Sequence, residues 1–400
     1  MIGRRKRDGA GDGGRAARAA AVAIAAALAG VPGAAAAKDP ISIGMAVALT
    51  GYLASYDGQF IDGVKLAARE ANAAGGIDGH KLDLHIVDDA SNATTGVTVT
   101  NQLLNRFGVT VMLNGLSSAQ NQAIEPILER AKVPQITFSV LPQNPKWAFL
   151  ANLLNERADA LQIDFAAKSV HAKKVAIVFS QTPYGQTAAK FMSARAAKDG
   201  MQVVYSQAVE PSVTDMTPQM AALKATGPDV VVDVLTGSTH IVEAKAAATV
   251  GLGVPIVMAT DDLPTHQKAD TAYPQSFFVT TAVQAYPNID NPATKAACAS
   301  FIATYKKAGD DLSTISGASF GWDAVHILAM AVQSSGATGG DALFAGFEKT
   351  TYQGCNTLYR YSASDHSGQM DVPNELRISR LKDGAVDVVF TERDLKISEN

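Results

Sequence analysis

The strongest constraint on how this chain folds is that it spells one strand–loop–helix series twice. Ile41 to Leu49 reads as a buried strand ending in Thr50-Gly51. The helix after it sets Phe60, Val64, Ala67 and Ala71 on one face, and Gly75-Gly76 stops it. Leu82 to Val87 is a second strand, ending at Asp88-Asp89, and Val109 to Leu113 a third, running into Gly115-Leu116-Ser117-Ser118. A helix carrying Ile124, Ile127, Leu128 and Ala131 follows, with a kink expected at Pro126. Pro134 to Val140 is a fourth strand. From Lys174 the series restarts. Lys174 to Phe179 is a strand, followed by a loop through Pro183-Tyr184-Gly185 and an alanine-rich helix. Gln202 to Gln207 matches the second strand, and Asp229 to Leu235 runs into Thr236-Gly237-Ser238-Thr239 as the third did into its serines. Val254-Pro255-Ile256 opens a fourth strand as Val133-Pro134 did. Any long α/β chain has some such rhythm, but the matching Ser loops and Val-Pro openings favour duplication.

Strands alternating with helices predict parallel sheets covered on both faces, and hence two doubly wound lobes. In open parallel sheets, ligands lie beyond the carboxyl ends of the strands. Topology alone therefore selects the loops 49–57, 114–118, 139–143, 182–186, 236–239 and 259–263.

The N-terminus sets the expected compartment. Arg4-Arg5-Lys6-Arg7, Arg15 and Arg18 precede an apolar run from Ala19 to Ala29, then Gly30, Pro32 and the small residues Ala34 to Ala37. That order is a secretory leader with cleavage expected after Ala37. The run is too short to span a bilayer, and a soluble mature protein is expected. Without residues 1–37 the chain carries 28 basic against 36 acidic residues, a formal charge of −8. That balance favours neither nucleic acid nor anionic membrane as a partner. The remaining length exceeds one hydrophobic core, so two domains are expected. Cys298 and Cys355 are free to bridge in an oxidising compartment or to stay as two buried thiols.

The loops offer capture chemistry. Ser117 and Ser118 stand where a strand meets a helix, able to cap it and, with the helix amides, to attract a carboxylate. Asp261-Asp262 ends a strand, either as an exposed turn or as a partner for an ammonium. Tyr56, Tyr184, Phe320 and Trp322 supply aromatic surface to a cleft or to ordinary core. The seven histidines lack metal-ligand spacing, and no phosphate loop, no dinucleotide loop after the first strand and no G-x-S-x-G elbow is expected. No cofactor and no metal is expected.

These residues resemble a known family, the type I periplasmic binding proteins of branched-chain amino acid transporters. The likeness is carried by Ala71-Asn72-Ala73-Ala74-Gly75-Gly76-Ile77-Asp78-Gly79, Asn114-Gly115-Leu116-Ser117-Ser118, Val133-Pro134, Tyr184-Gly185 and Trp322-Asp323-Ala324. It implies three chain crossings between the lobes and a Venus-flytrap closure. Lobe one would be 38–157 plus 285–358, and lobe two 158–284 plus 359–400. It also implies the ligand contacts. Tyr56, Ser117, Ser118, Ser139 and the Leu141 position would serve from lobe one, Tyr184 and Asp261 from lobe two, and Phe320 as a cover. Asp261 would meet an ammonium, and Ser118 a carboxylate. Leu141 departs from the pattern, standing where the family usually has Thr or Ser. The expected protein is a monomeric, non-enzymatic, periplasmic component of an ABC importer. It would capture a branched-chain or related amino acid and pass it to a membrane permease. An aromatic or organic acid, an amide, a urea-like solute, or a sensory role is the alternative.

Overall fold

In a computed structural model, residues 38–139, 141, 144–153, 155–309, 315–368 and 376–391 are described; the leader expected over 1–37 lies outside them. The first series runs β1 (Lys38–Val47), α1 (Ala54–Ala73), β2 (His80–Asp88), α2 (Ala93–Gln102), β3 (Val111–Asn114), α3 (Ser118–Ala131), β4 (Gln135–Thr137) and β5 (Ala148–Leu150). A π-helical turn, Leu103–Phe107, prolongs α2. The five strands form one sheet in the order β2-β1-β3-β4-β5. Pairing is parallel from β1 through β3 and β4 to β5.

The second series runs α4 (Asn155–Lys168), β6 (Lys174–Ser180), α5 (Pro183–Lys198), β7 (Gln202–Val209), α6 (Thr217–Ala225), β8 (Val230–Val234), α7 (Thr239–Val250), β9 (Ile256–Met258), α8 (Leu263–Ala272) and β10 (Ser276–Thr280). These strands take the order β7-β6-β8-β9-β10, the same as the first five. The repetition read in the sequence is thus a repetition of topology. The second sheet then gains β13 (Arg377–Lys382), antiparallel to β10, and β14 (Ala385–Thr391), antiparallel to β13. Between β10 and β13 come α9 (Ala282–Ala285), α10 (Pro292–Lys307), α11 (Ile315–Ser335), α12 (Gly340–Phe347) and the hairpin of β11 (Thr351–Gln353) and β12 (Leu358–Arg360).

Local chemistry explains the main elements. In β8, Val230, Val231, Val232 and Val234 are all buried, the near-continuous apolar run of a strand covered on both faces. Helix α3 spans Ser118–Ala131 with Pro126 inside it. Helix α1 packs on α11 because glycines let the backbones meet. A Cβ on Gly63 would lie 1.9 Å from the Ala318 carbonyl oxygen, and one on Gly321 would lie 2.0 Å from that of Phe60. Helix α11 is long and apolar enough to cross a membrane, but 83% of its apolar window is buried inside the protein, as in a core helix.

Tyr361 Oη donates to the Leu150 carbonyl at 2.7 Å and Leu150 N donates to that of His366 at 3.1 Å, so the stretch after β12 lies on the first sheet. Of the two states left open for Cys298 and Cys355, the structure has the disulfide, tying α10 to the segment after β11.

Candidate functional site

A cavity of about 70 Å³ opens at the carboxyl ends of both sets of parallel strands. A buried water occupies roughly 10–15 Å³ by the same measure, so the space suits a small organic molecule. The first half contributes Tyr52, Leu53 and Tyr56 from the β1–α1 junction, and Leu116, Ser117, Ser118 and Ala119 from β3–α3. Ser139 follows β4, and Asn152 and Leu153 follow β5. The second half contributes Ala158, the β6–α5 residues Ser180, Thr182 and Tyr184, and Leu235, Thr236, Ala259 and Thr260 after β8 and β9. Leu376 completes the wall.

Two helix N-termini reach this space. Ser117 caps α3, its Oγ accepting from Gln120 N at 3.3 Å, so Ser118 and Ala119 form the first turn, where N–H groups have no intrahelical acceptor. Thr182 caps α5 in the same way, accepting from Gly185 N at 3.1 Å. Aligned peptide dipoles make such ends favourable for a carboxylate.

The loop before Ser117 is fixed by a buried acid that sequence reasoning missed. Asp57 accepts from Ala48 N through Oδ2 and from Leu116 N through Oδ1, both at 2.8 Å. Gly115 leaves room for it, since a Cβ there would lie 2.2 Å from Asp57 Oδ2. Burial pushes this carboxyl up to about 7 despite the two amides. Asp88 fastens the neighbouring loop through Leu49 N, Thr50 N and the Thr50 hydroxyl, and is held below the usual carboxylate range by these bonds. Burial, with Asp57 and Asp89 nearby, pushes the Tyr52 phenol up to about 12, and burial raises Tyr56 and Tyr184 further. All three are neutral hydroxyls at physiological pH.

Of the eight residues expected to touch ligand, Tyr56, Ser117, Ser118, Ser139 and Tyr184 come together on the wall. Ser139 arrives with its N–H bonded to Thr137 Oγ1 at 2.9 Å, so that backbone donor is taken. Three residues stand elsewhere. Leu141 packs with Ala148 and Leu150. Phe320 is buried with its ring 5.0 Å from Phe138, which in turn stacks on Tyr56. Asp261 is turned into the second half, where Oδ2 accepts from Gly237 N at 2.5 Å and Oδ1 from Asp262 N at 2.7 Å. Its carboxyl is pushed up to about 7 by burial and by Asp262. Among the described residues, the wall therefore carries hydroxyls, one amide and apolar groups, but no charged side chain.

Behind the second-half wall lies a buried acid–histidine cluster that the sequence spacing did not reveal. Asp233, His240 and Glu243 present ligating atoms within 4.8 Å of one another, all buried. His240 Nδ1 lies 2.9 Å from Asp233 Oδ2, and His240 Nε2 lies 3.5 Å from Asp261 Oδ2. Burial, and then Asp233, raise Glu243 well above the ordinary range, which favours its neutral form. Burial alone would lower His240, but Asp233 and Asp261 outweigh it and raise it.

The expectation of no G-x-S-x-G string is wrong, since Gly317-Ala318-Ser319-Phe320-Gly321 spells it, but it lies inside α11 and not at a strand-to-helix turn. Ser319 Oγ donates to the Ser316 carbonyl at 2.7 Å and accepts from Asn356 Nδ2 at 2.6 Å. Its role there is structural.

A periplasmic binding protein family model matches residues 40–385. The Leu/Ile/Val-binding protein homolog 3 of Brucella melitensis is 28% identical over 204 residues, 50% of this chain and 55% of that one. The chain thus spans about half the length of the curated relatives it matches. A Rhodopseudomonas palustris transporter solute-binding protein in complex with 4-hydroxybenzoate matches with TM-score 0.75 and 18% identity, over 88% of this chain and 97% of that one. The branched-chain amino acid transporter binding protein of Streptococcus pneumoniae, in complex with isoleucine, matches with TM-score 0.73 and 20% identity, over 88% and 99%.

Proposed function

The chain belongs to the periplasmic binding protein family, and from that premise we propose that it captures a small monocarboxylate with an uncharged apolar or aromatic body. Members of the family bind solutes and do not transform them. In this reading the two halves close about the ligand, and the loaded protein delivers it to a membrane permease of an ABC importer. Export by the leader at residues 1–37 would place it in the periplasm.

One observation carries the choice of ligand: no acidic side chain among the described residues faces the cavity. An α-amino acid brings an ammonium whose burial without an anionic partner costs several kcal/mol. Asp261, the residue expected to meet it, already has both carboxylate oxygens occupied by amides. A carboxylate alone is served by the amides of the α3 first turn, the Ser117 and Ser118 hydroxyls and the neutral tyrosines. Leu53, Leu116, Leu153, Leu235 and Leu376 then suit an apolar body.

The test pairs each amino acid with its deaminated analogue: leucine against 4-methylpentanoate, phenylalanine against 3-phenylpropionate, with 4-hydroxybenzoate beside them. A ligand at one hundred times its dissociation constant adds about 2.7 kcal/mol of stability, visible as a raised melting temperature. The carboxylates are expected to stabilise and the amino acids to do so at least tenfold less effectively. Tighter binding of the amino acid in either pair would overturn this ligand class.

A further inference from the structure

The β1–α1 junction and the first turns of α1 meet the second half at two places beside the cavity. At the first, Gly237 sits so close to Tyr52 that a Cβ would lie 2.5 Å from the Tyr52 carbonyl oxygen. At the second, Asp262 Oδ2 accepts from Ser55 Oγ at 2.9 Å and from Gln59 Nε2 at 3.0 Å. Ser55 and Gln59 are four residues apart, on one face of α1. The intervening turn carries Tyr56 into the cavity wall and Asp57 toward β1 and β3.

Both sides of this contact are held in place beforehand. Asp262 caps α8, its Oδ1 accepting from Thr265 N at 2.5 Å, and its own N–H donates to Asp261. Gln59 is anchored through Oε1, which accepts from Gly317 N at 3.3 Å in the first turn of α11. Asp262 and Gln59 are buried. Groups already fixed lose little side-chain freedom when they meet, so most of the interaction strength is retained. None of these bonds uses a ligand atom.

We propose that Asp262, with Ser55 and Gln59, is a closing latch: an acceptor on one half and two donors on the other that favour the closed arrangement before any solute arrives. This rests on the hinged-capture reading above. Only contacts made in the closed state bias the hinge, and these depend on that state. Hydrogen bonds to a charged group of this kind shift an equilibrium by about tenfold or more each. The latch therefore sets how much of the solute's binding energy is left to appear as affinity. Asp262 acts here as a positioning residue.

The test reads the distance between the halves in the intact protein without solute. Spin labels on Lys65→Cys and Lys245→Cys, both exposed sites, report it; the native cysteines are paired and take no label. Gln59→Glu keeps the acceptor for Gly317 but sets a carboxylate against Asp262. It should move the population at least tenfold toward the long distance. Adding Asp262→Asn, which still caps α8, supplies a donor to that carboxylate and should restore the short distance. A melting temperature near that of the parent checks that each variant is folded. The latch is refuted if Gln59→Glu leaves the distances unchanged, or if the double variant stays as open as the single. Should 4-hydroxybenzoate shift the distance while the variants do not, only the latch falls. Should nothing shift it, the hinged reading falls as well.

Discussion

The two halves share a strand order but spend their polar groups differently. In the first half, the loop after β3 delivers Ser117 and Ser118 to the cavity, steadied from behind by Asp57. In the second, the corresponding loop after β8 gives its Gly237 amide to Asp261, and the acids Asp233, Glu243, Asp261 and Asp262 stay beneath the surface. The first half brings the α3 amides and the serine hydroxyls to an anion, and the second adds the α5 N-terminus. The second also compensates its own charges internally and offers a neutral wall. Duplication set the geometry of the cleft, while the side chains behind each loop decide which chemistry reaches it.

The largest expected effect tests the internal compensation in the second half. Asp233→Ala removes the partner of His240 and the acceptor for Ala259 N, which it holds at 2.8 Å. Breaking a buried pair by deleting one partner costs about 3–5 kcal/mol, to be read from denaturant unfolding. Glu243→Gln should cost under about 1 kcal/mol, because the amide keeps the size of the acid and the neutral form that burial favours. Equal losses in the two variants, with metal found by elemental analysis of the parent, would break the picture of a proton-neutralised cluster.

Next comes the first half's role as the anion side. Ser118→Asp puts a carboxylate where the ligand's own would sit, and 4-hydroxybenzoate binding should fall about a hundredfold, roughly 2.7 kcal/mol. Thr236→Asp, on the opposite wall, should instead raise the leucine-to-4-methylpentanoate affinity ratio. If calorimetry found the two variants interchangeable, the division of labour between the halves would be wrong.

This division was only half legible in the sequence. The loops at the cleft followed from strand order, because a parallel sheet admits ligands at one end only, and Tyr56, Ser117, Ser118, Ser139 and Tyr184 lie on them. The contribution of Asn152 was hidden because β5 spans three residues, too short to announce itself. Asp261 shows the deeper limit. Its position beside a strand end was readable, but whether a carboxylate faces a cleft or two backbone amides depends on a φ/ψ choice and a rotamer that no spacing encodes. Asp57 and Asp262 face the same difficulty, since each acts through residues far away in sequence, at Leu116 for the first and Ser55 and Gln59 for the second. Thr182 was closer to hand, as Thr followed by Pro at the first helical position is a recognisable start signal.

The smallest effect concerns pH and again separates the halves. Burial pushes Asp89 up to about 6, Asp57 to about 7 and Asp323 to about 8 in the first half, and Asp261 to about 7 in the second. A carboxyl whose folded value is raised binds more protons folded than unfolded, so stability falls as pH rises between the two values. His240, raised by its carboxylates, acts in the same direction, its contribution being lost as pH climbs through its folded value. The depressed carboxyls Asp88 and Asp229 oppose this only at more acidic pH, while His266 and His326, lowered by burial, oppose it up to about the ordinary histidine value of 6.5 and are outnumbered by the raised acids. The melting temperature should therefore be higher at pH 5 than at pH 8, by a few degrees at about 2–4 °C per kcal/mol. Asp323→Asn, which mimics the neutral acid, should match the parent at pH 5 and exceed it at pH 8, flattening the slope. A parent protein whose melting temperature rises from pH 5 to pH 8 would show that its buried acids are better solvated or better paired than their surroundings indicate.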